Sequence, residues 1–151
     1  MAEVWFYQLE GKTVDDVLPG LLARGLDRGV RMLVQTVDAE RVKALSQKLW
    51  SHEDVSFLTH GFEGEPNPVA QPIYITATAE NPNASEFHFF IDGAAPENLI
   101  GLTRASIMFD GDEETAIEQA RGLWRNFKAD GHAIKYWKQD ADGRWKDQAA
   151  S

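Results

Sequence analysis

The chain has 151 residues, with 15 Lys and Arg against 24 Asp and Glu, so its formal net charge is −9. This charge disfavours phosphate-driven binding, and we expect no strong direct contact with nucleic acid. Cysteine is absent, which excludes disulfides, thiolate catalysis and zinc-thiolate sites. No apolar run approaches the roughly 20 residues of a membrane span, and the N-terminus lacks a basic, apolar signal pattern. We therefore expect a cytoplasmic protein that does not bind membranes.

The length fits a single domain, which we place at residues 1–148, followed by a short C-terminal tail at 149–151. Residues 2–9 are apolar and aromatic, as in a buried strand. Thr13 followed by Asp16 matches a capping box and predicts a helix, which Gly29 ends. Because proline lacks a backbone donor, Pro19 predicts that this helix either begins close to Asp16 or bends at the proline.

A second strand is predicted from Met32 to Val37, and Asp38 can cap the helix that follows. This helix has an apolar face, formed by Val42, Leu45, Leu49 and Trp50. A long connection punctuated by glycine and proline then leads to a strand at 73–78. Connections of this length are usually functional or disordered, and aromatic residues such as Phe57 argue against disorder here.

The second half of the chain continues the alternation of strands and helices. A turn at 80–85 leads to a strand at 86–92, which we expect to be antiparallel to its predecessor because the link is short. We then predict a short helix at 96–102, a strand at 106–109, a helix at 112–128 and a hairpin made of 133–138 and 143–146. The pattern predicts an α/β fold: a single three-layer Rossmann-like domain with a mostly parallel central sheet, antiparallel additions and a C-terminal hairpin.

Catalytic motifs are scarce. The first strand is followed by Glu10-Gly11-Lys12-Thr13, which has one glycine and no phosphate-binding fingerprint. No serine lies in a nucleophile-elbow setting, so we predict no catalytic residues and no cofactor. His52 and His60 with nearby acidic residues could form a metal site, but a loop-fixing hydrogen bond from His60 is the favoured interpretation, and we predict no metal. A small nucleotide- or metal-dependent α/β enzyme is the alternative function.

The last long helix carries a cationic and aromatic face beside its core face. The core face has Ala116, Ala120, Leu123 and Phe127, and the neighbouring face has Arg121, Trp124, Arg125 and Lys128. On an acidic protein this second face could bind an acidic segment or a terminal carboxylate. The cations would also complement the helix dipole, and the residues alone favour that interpretation. For Trp50 and Phe57 two interpretations are equally favoured: packing in the core, and an exposed apolar anchor that binds a protein partner.

A series of short motifs runs along the chain in order. They are Val4-Trp5-Phe6-Tyr7-Gln8-Leu9, Leu49-Trp50, Ser56-Phe57-Leu58-Thr59-His60-Gly61, Gly64-Glu65, Gln71-Pro72-Ile73, Asn81-Pro82-Asn83, Phe90-Ile91-Asp92-Gly93-Ala94, Phe109-Asp110-Gly111, the run from Ala120 to Lys128, Gly131-His132 and Tyr136-Trp137. In this series the chain resembles the chi subunit family of bacterial DNA polymerase III holoenzyme.

The resemblance implies a non-enzymatic accessory protein of the clamp-loader assembly in DNA replication. Such a protein is linked to DNA polymerase activity only because it belongs to the holoenzyme. Chi proteins have an α/β fold similar to nucleotide-binding domains and act through protein-protein interaction. They bind the acidic C-terminal tail of single-stranded DNA-binding protein, and the matching positions here are Arg121, Trp124, Arg125 and Lys128. The surface for the small psi subunit, or for a helicase-like partner, matches Trp50 and Phe57.

Overall fold

In the computed structural model of the chain, residues 2–51, 61–62, 72–78, 84–96, 99, 101–139 and 144–148 are described, with the backbone alone at 50–51 and 61–62. Three helices lie in these ranges: α1 (Val14–Asp27), α2 (Ala39–Ser51) and α3 (Glu114–Ala129). The strands in the same ranges are β1 (Glu3–Leu9), β2 (Met32–Gln35), β3 (Gly61–Phe62), β4 (Ile73–Thr76), β5 (Phe87–Phe90), β6 (Arg104–Asp110), β7 (Ile134–Gln139) and β8 (Trp145–Asp147). No helix of this part of the chain is long and apolar enough to cross a membrane.

The described strands form one sheet in the order β3-β4-β2-β5-β6-β1-β7-β8. Every neighbouring pair is parallel except β7 and β8, which are antiparallel. The predicted α/β fold, with a mostly parallel sheet and a C-terminal hairpin, is therefore confirmed. Its parallel strands place their carboxyl ends along one edge, where open α/β sheets form a crevice.

The predicted antiparallel arrangement of β4 and β5 is wrong. Both strands pair with β2 in parallel, one on each side of it. Each is only four residues long, about 13 Å at the usual rise of a strand. Although the link over residues 77–86 is short, it has enough residues for the chain to return to the edge of the sheet where β4 begins. A hairpin was therefore not required.

The sheet separates two apolar layers, and successive residues of β1 alternate between them as the pleat requires. Tyr7 and Leu9 point to the side covered by α1 and α2, where Leu22 is also buried. Val4 and Phe6 point to the opposite side, which α3 covers. The predicted three layers are therefore observed, and any surface on α3 lies across the sheet from α1.

Helix α1 begins as its capping residues predict. The Thr13 hydroxyl accepts a hydrogen bond from the Asp16 amide (3.3 Å), and the Asp16 carboxylate accepts one from the Thr13 amide (3.0 Å). These bonds start the helix at Val14, two residues before Asp16, so Pro19 lies within the helix. The predicted cap of α2 is confirmed as well, because the Asp38 carboxylate accepts a hydrogen bond from the Arg41 amide (2.8 Å).

The described part of the stretch at 96–102 is not helical, contrary to prediction. The Leu102 amide donates to the Leu99 carbonyl (3.2 Å), which closes a turn instead. Leu99 and Leu102 are partly buried against the apolar layer under α3. This stretch therefore contributes apolar contacts to the layer without forming the predicted helix in its described part.

Candidate functional site

Helix α3 lies over β6 and β7 with its predicted core face inward. Ala120 is buried, and Ala116, Leu123 and Phe127 are partly buried against the same apolar layer. Gly131 ends the helix with φ of +87°, and the His132 amide donates to the Phe127 carbonyl (3.1 Å). This is the Schellman ending that the glycine predicts. It orients the last turn of α3, which carries part of the candidate site.

The cationic face of α3 is exposed and joins the apolar layer through its tryptophan. Arg121, Arg125 and Lys128 are exposed, whereas Trp124 is half-buried against the residues under α3. The Lys128 ammonium lies 4.5 Å from the centre of the Trp124 ring, within cation–π distance. Among the described residues, no carboxylate lies within ion-pair distance of these three cations. They are therefore available to an acidic partner.

Tyr136 of β7 lies in the same apolar layer under α3 as Trp124. Its ring stacks on Phe6 with 6.0 Å between centroids, and its hydroxyl donates a hydrogen bond to the Gln8 side-chain carbonyl. Burial raises the pKa of Tyr136, and the positive charge of Arg121 partly opposes that rise. Tyr136 is therefore held by Phe6 and Gln8 of β1, within the apolar layer that α3 covers.

A second concave feature lies at the carboxyl ends of β1, β5 and β6. It is a cavity of about 560 Å³ that extends under α3 as far as Leu123. Arg41 lines this cavity together with Asp15 and Asp92. Its Nη2 lies 2.7 Å from an Asp15 oxygen and its Nε lies 2.7 Å from an Asp92 oxygen. The Thr36 hydroxyl donates to the same Asp92 oxygen (2.7 Å). The hydrogen bonds to Asp15 and Asp92 raise the pKa of Arg41 against the effect of burial.

Sequence reasoning did not identify this network of Arg41, Asp15 and Asp92. The residues come from α2, α1 and the end of β5, and only the sheet order brings them together. The available signals were Asp92 at the end of a predicted strand and Asp15 in the first turn of a predicted helix. The network joins three elements, and we assign it a structural role.

Two backbone donors just before α1 are already paired. The Gly11 amide donates to the Asp112 carboxylate (3.1 Å), and the Thr13 amide donates to Asp16 (3.0 Å). A nucleotide phosphate in an α/β crevice would need such donors. These two amides are therefore not free to bind a phosphate.

The histidines do not assemble a metal site in the part of the chain that is described. No group of three or more acidic or histidine side chains suited to a metal occurs there. His88 is buried in β5, and burial lowers its pKa to about 4. The His132 ring has Nδ1 at 3.0 Å from the Ala2 carbonyl and meets Phe127 edge-on. His52 and His60 lie outside the described residues.

The positions predicted for a second partner are less completely described. Trp50 belongs to α2, of which only the backbone is described at that position. Phe57 and most of the long connection after α2 lie outside the described residues. The structure therefore brings together Arg121, Trp124, Arg125 and Lys128, while a site at Trp50 and Phe57 stays a prediction.

The fold and surface together define a small α/β domain that presents a cationic and aromatic helix face. The sequence model of the family described as "DNA polymerase III chi subunit, HolC" matches residues 1–135, and the chain belongs to this family of polymerase accessory subunits. A relative in Rickettsia prowazekii (strain Madrid E), named "Probable DNA polymerase III subunit chi", is 36% identical over 53 residues. That match covers 35% of this chain and 32% of the relative, about a third of its length.

Proposed function

We propose that the chain is a non-catalytic adaptor that binds the acidic C-terminal tail of single-stranded DNA-binding protein on the cationic face of α3. The observation that carries this proposal is the exposure of Arg121, Arg125 and Lys128 beside the half-buried Trp124, with no described carboxylate paired to them. Membership of the chi family supports the same partner, because it makes the chain a subunit of the replicative polymerase.

Capture combines charge and apolar contact. The terminal carboxylate of the tail pairs with Arg125 or Arg121, since a guanidinium donates two parallel hydrogen bonds to a carboxylate. The last aromatic residue of the tail packs beside Trp124. Because Lys128 covers one face of that ring at 4.5 Å, the aromatic residue uses the opposite face or displaces the lysine. Lys128 also steers the upstream aspartates of the tail.

The contact is small, and we expect a dissociation constant of roughly micromolar, about −8 kcal/mol. The three cations are solvent-exposed, so binding should weaken as salt rises. Several tails on one oligomeric partner would raise the effective strength through multivalency. An adaptor of this affinity can stay attached to a partner that coats DNA and can still dissociate from one tail and bind another.

Substitution of Arg125 tests the site. We expect Arg125→Ala to weaken binding of an Asp-rich, Phe-terminated peptide at least about tenfold, because a charge-assisted pair is lost. Its stability should stay within about 0.5 kcal/mol, since the side chain is exposed. The matched control is Lys43→Ala, which removes an exposed cation from α2 on the other side of the sheet. Equal peptide affinity in wild type and Arg125→Ala would exclude this site.

We further propose that a second surface, at Trp50 and Phe57, links the adaptor to the clamp loader through a psi-like subunit, or to a helicase-like partner. The support is the resemblance of Leu49-Trp50 and Ser56-Phe57-Leu58 to chi family motifs, within the range that the family model matches. Phe57→Ala should abolish retention of that partner in a pull-down while the peptide affinity stays unchanged. Loss of peptide binding together with partner binding would contradict two separate surfaces.

A further inference from the structure

A narrow cleft lies on the face of the sheet opposite α3, between helix α1 and strands β1, β5 and β6. Its volume is about 150 Å³, and its lining includes Trp5, Arg24, Arg28, Phe87 and Arg104. Three arginines thus surround one small cleft on a protein of net charge −9. Like-charge repulsion among these arginines costs folding free energy, and a bound anion would offset that cost.

Arg104 is held rigidly in this cleft. Its guanidinium carbon lies 3.5 Å from the Trp5 ring centre and 4.2 Å from the Phe87 ring centre. The nearest carboxylate recorded for it is Glu3, whose oxygen lies 3.8 Å from the Arg104 Nε, too far for a hydrogen bond. The Nε atom is buried and has no hydrogen-bond partner among the described residues. Arg104 is therefore a largely buried cation whose counter-ion in the described residues, Glu3, makes a long ion pair and leaves the Nε hydrogen-bond donor unused.

Arg24 and Arg28 add two exposed cations at the end of α1. Arg28 lies over the same Phe87 ring as Arg104, at 5.7 Å. Burial lowers the pKa of Arg104 and the Arg28 charge adds to that shift, whereas interactions with Tyr7 and Glu3 oppose it. In the described ranges neither Arg24 nor Arg28 has a carboxylate within ion-pair distance. A helix C-terminus favours cations, which accounts for the two residues on α1. It does not account for Arg104, which comes from β6.

We propose that Arg24, Arg28 and Arg104 form a phosphate-binding site on the face opposite the peptide-binding helix. Guanidinium forks match phosphate oxygens, and three of them suit a group that carries up to two negative charges. The two aromatic rings clamp Arg104, with its guanidinium between them, so their inner faces are not available to stack on a base. The cleft therefore recognises the phosphate itself.

The phosphate can belong to a small phosphomonoester or to the backbone of a single-stranded oligonucleotide, and two probes separate these sources. Inorganic phosphate and a short oligothymidylate are titrated into the ¹⁵N-labelled protein at constant ionic strength, with sodium chloride as the balancing salt. The signals followed are the Trp5 indole N–H and the backbone amides of Phe87 and Arg104. Oligothymidylate that binds more tightly than phosphate identifies a nucleic-acid source, whereas binding of phosphate alone identifies a small molecule.

The double variant Arg24→Gln/Arg28→Gln tests the assignment, because both side chains are exposed and their loss leaves the Arg104 clamp in place. We expect saturable shifts in wild type and at least about tenfold weaker phosphate binding in the variant. Arg125→Gln, on the opposite face, is the matched control and should retain wild-type phosphate affinity. Unsaturable shifts, equal affinity in the double variant, or equal binding of acetate would overturn the phosphate site, and none of these depends on peptide binding.

Discussion

His88 shows how one buried residue gives this protein a pH response. The side chain lies in β5 and is 8% exposed, and its Nε2 has no hydrogen-bond partner among the described residues. Burial disfavours the charged ring and lowers its pKa from 6.5 to about 4, although a hydrogen bond involving the Ser85 backbone opposes the shift. The unfolded chain therefore binds a proton at a higher pH than the native protein does.

We expect the free energy of unfolding to fall by about 2 kcal/mol between about pH 7 and about pH 5, because only the unfolded state protonates His88 in that window. His88→Gln removes this titration and should flatten the dependence. Urea unfolding at the two pH values measures the difference. An equally steep dependence in the variant would show that other groups are responsible.

At the level of elements, the ends of α1 were the most predictable feature of the fold. The capping box at Thr13 and the glycine ending at Gly29 are local signals, and both are observed. The Gly29 amide donates to the Leu26 carbonyl and the Val30 amide to the Gly25 carbonyl, each at 3.0 Å. The direction of β5 was not predictable in the same way, because it depends on β2 lying between β4 and β5.

Two glycines within α1 are expected to respond oppositely to alanine. A Cβ at Gly25 would lie 2.2 Å from the sulfur of Met32, a fully buried residue, whereas a Cβ at Gly20 would meet nothing within 4 Å. Gly25→Ala should destabilise the protein by about 1–2 kcal/mol through overpacking. Gly20→Ala should stabilise it by about 0.5–1 kcal/mol, because alanine restricts the unfolded chain.

Thermal and urea unfolding of both glycine variants measure this contrast. Gly20→Ala controls for the helix propensity of alanine, which is common to the two substitutions. Similar stability changes in the two variants would show that Met32 moves aside freely and that α1 does not pack tightly on β2.

At the level of the whole molecule, the sequence predicted the three layers of the fold. It did not predict the clusters formed by side chains from distant parts of the chain. The alternation of strands and helices indicated the α/β class, and the spacing on α3 predicted both of its faces. The cleft arginines were missed because Arg24 and Arg104 are distant in sequence and meet only through sheet order. The match over residues 1–135 confirms the family resemblance, and that resemblance is the source of the proposed partner, which residue spacing alone did not indicate.

The two cationic surfaces lie on opposite faces of an acidic molecule. Helix α3 presents exposed cations beside Trp124, whereas in the cleft the Arg104 guanidinium lies against the Trp5 and Phe87 rings. The sheet separates them, so substitutions in one site should leave the other unchanged. If both proposed sites bind their ligands, this separation predicts that an acidic tail and a phosphate-bearing ligand are bound at the same time.

Calorimetric titration with two Asp-rich, Phe-terminated peptides, one with a free terminal carboxylate and one amidated, tests the adaptor function most directly. We predict roughly micromolar binding of the free acid, weaker binding at higher salt, and at least about tenfold weaker binding of the amide, since Arg121 and Arg125 pair with the carboxylate. Equal binding of both peptides, or binding of neither, would contradict carboxylate capture on α3.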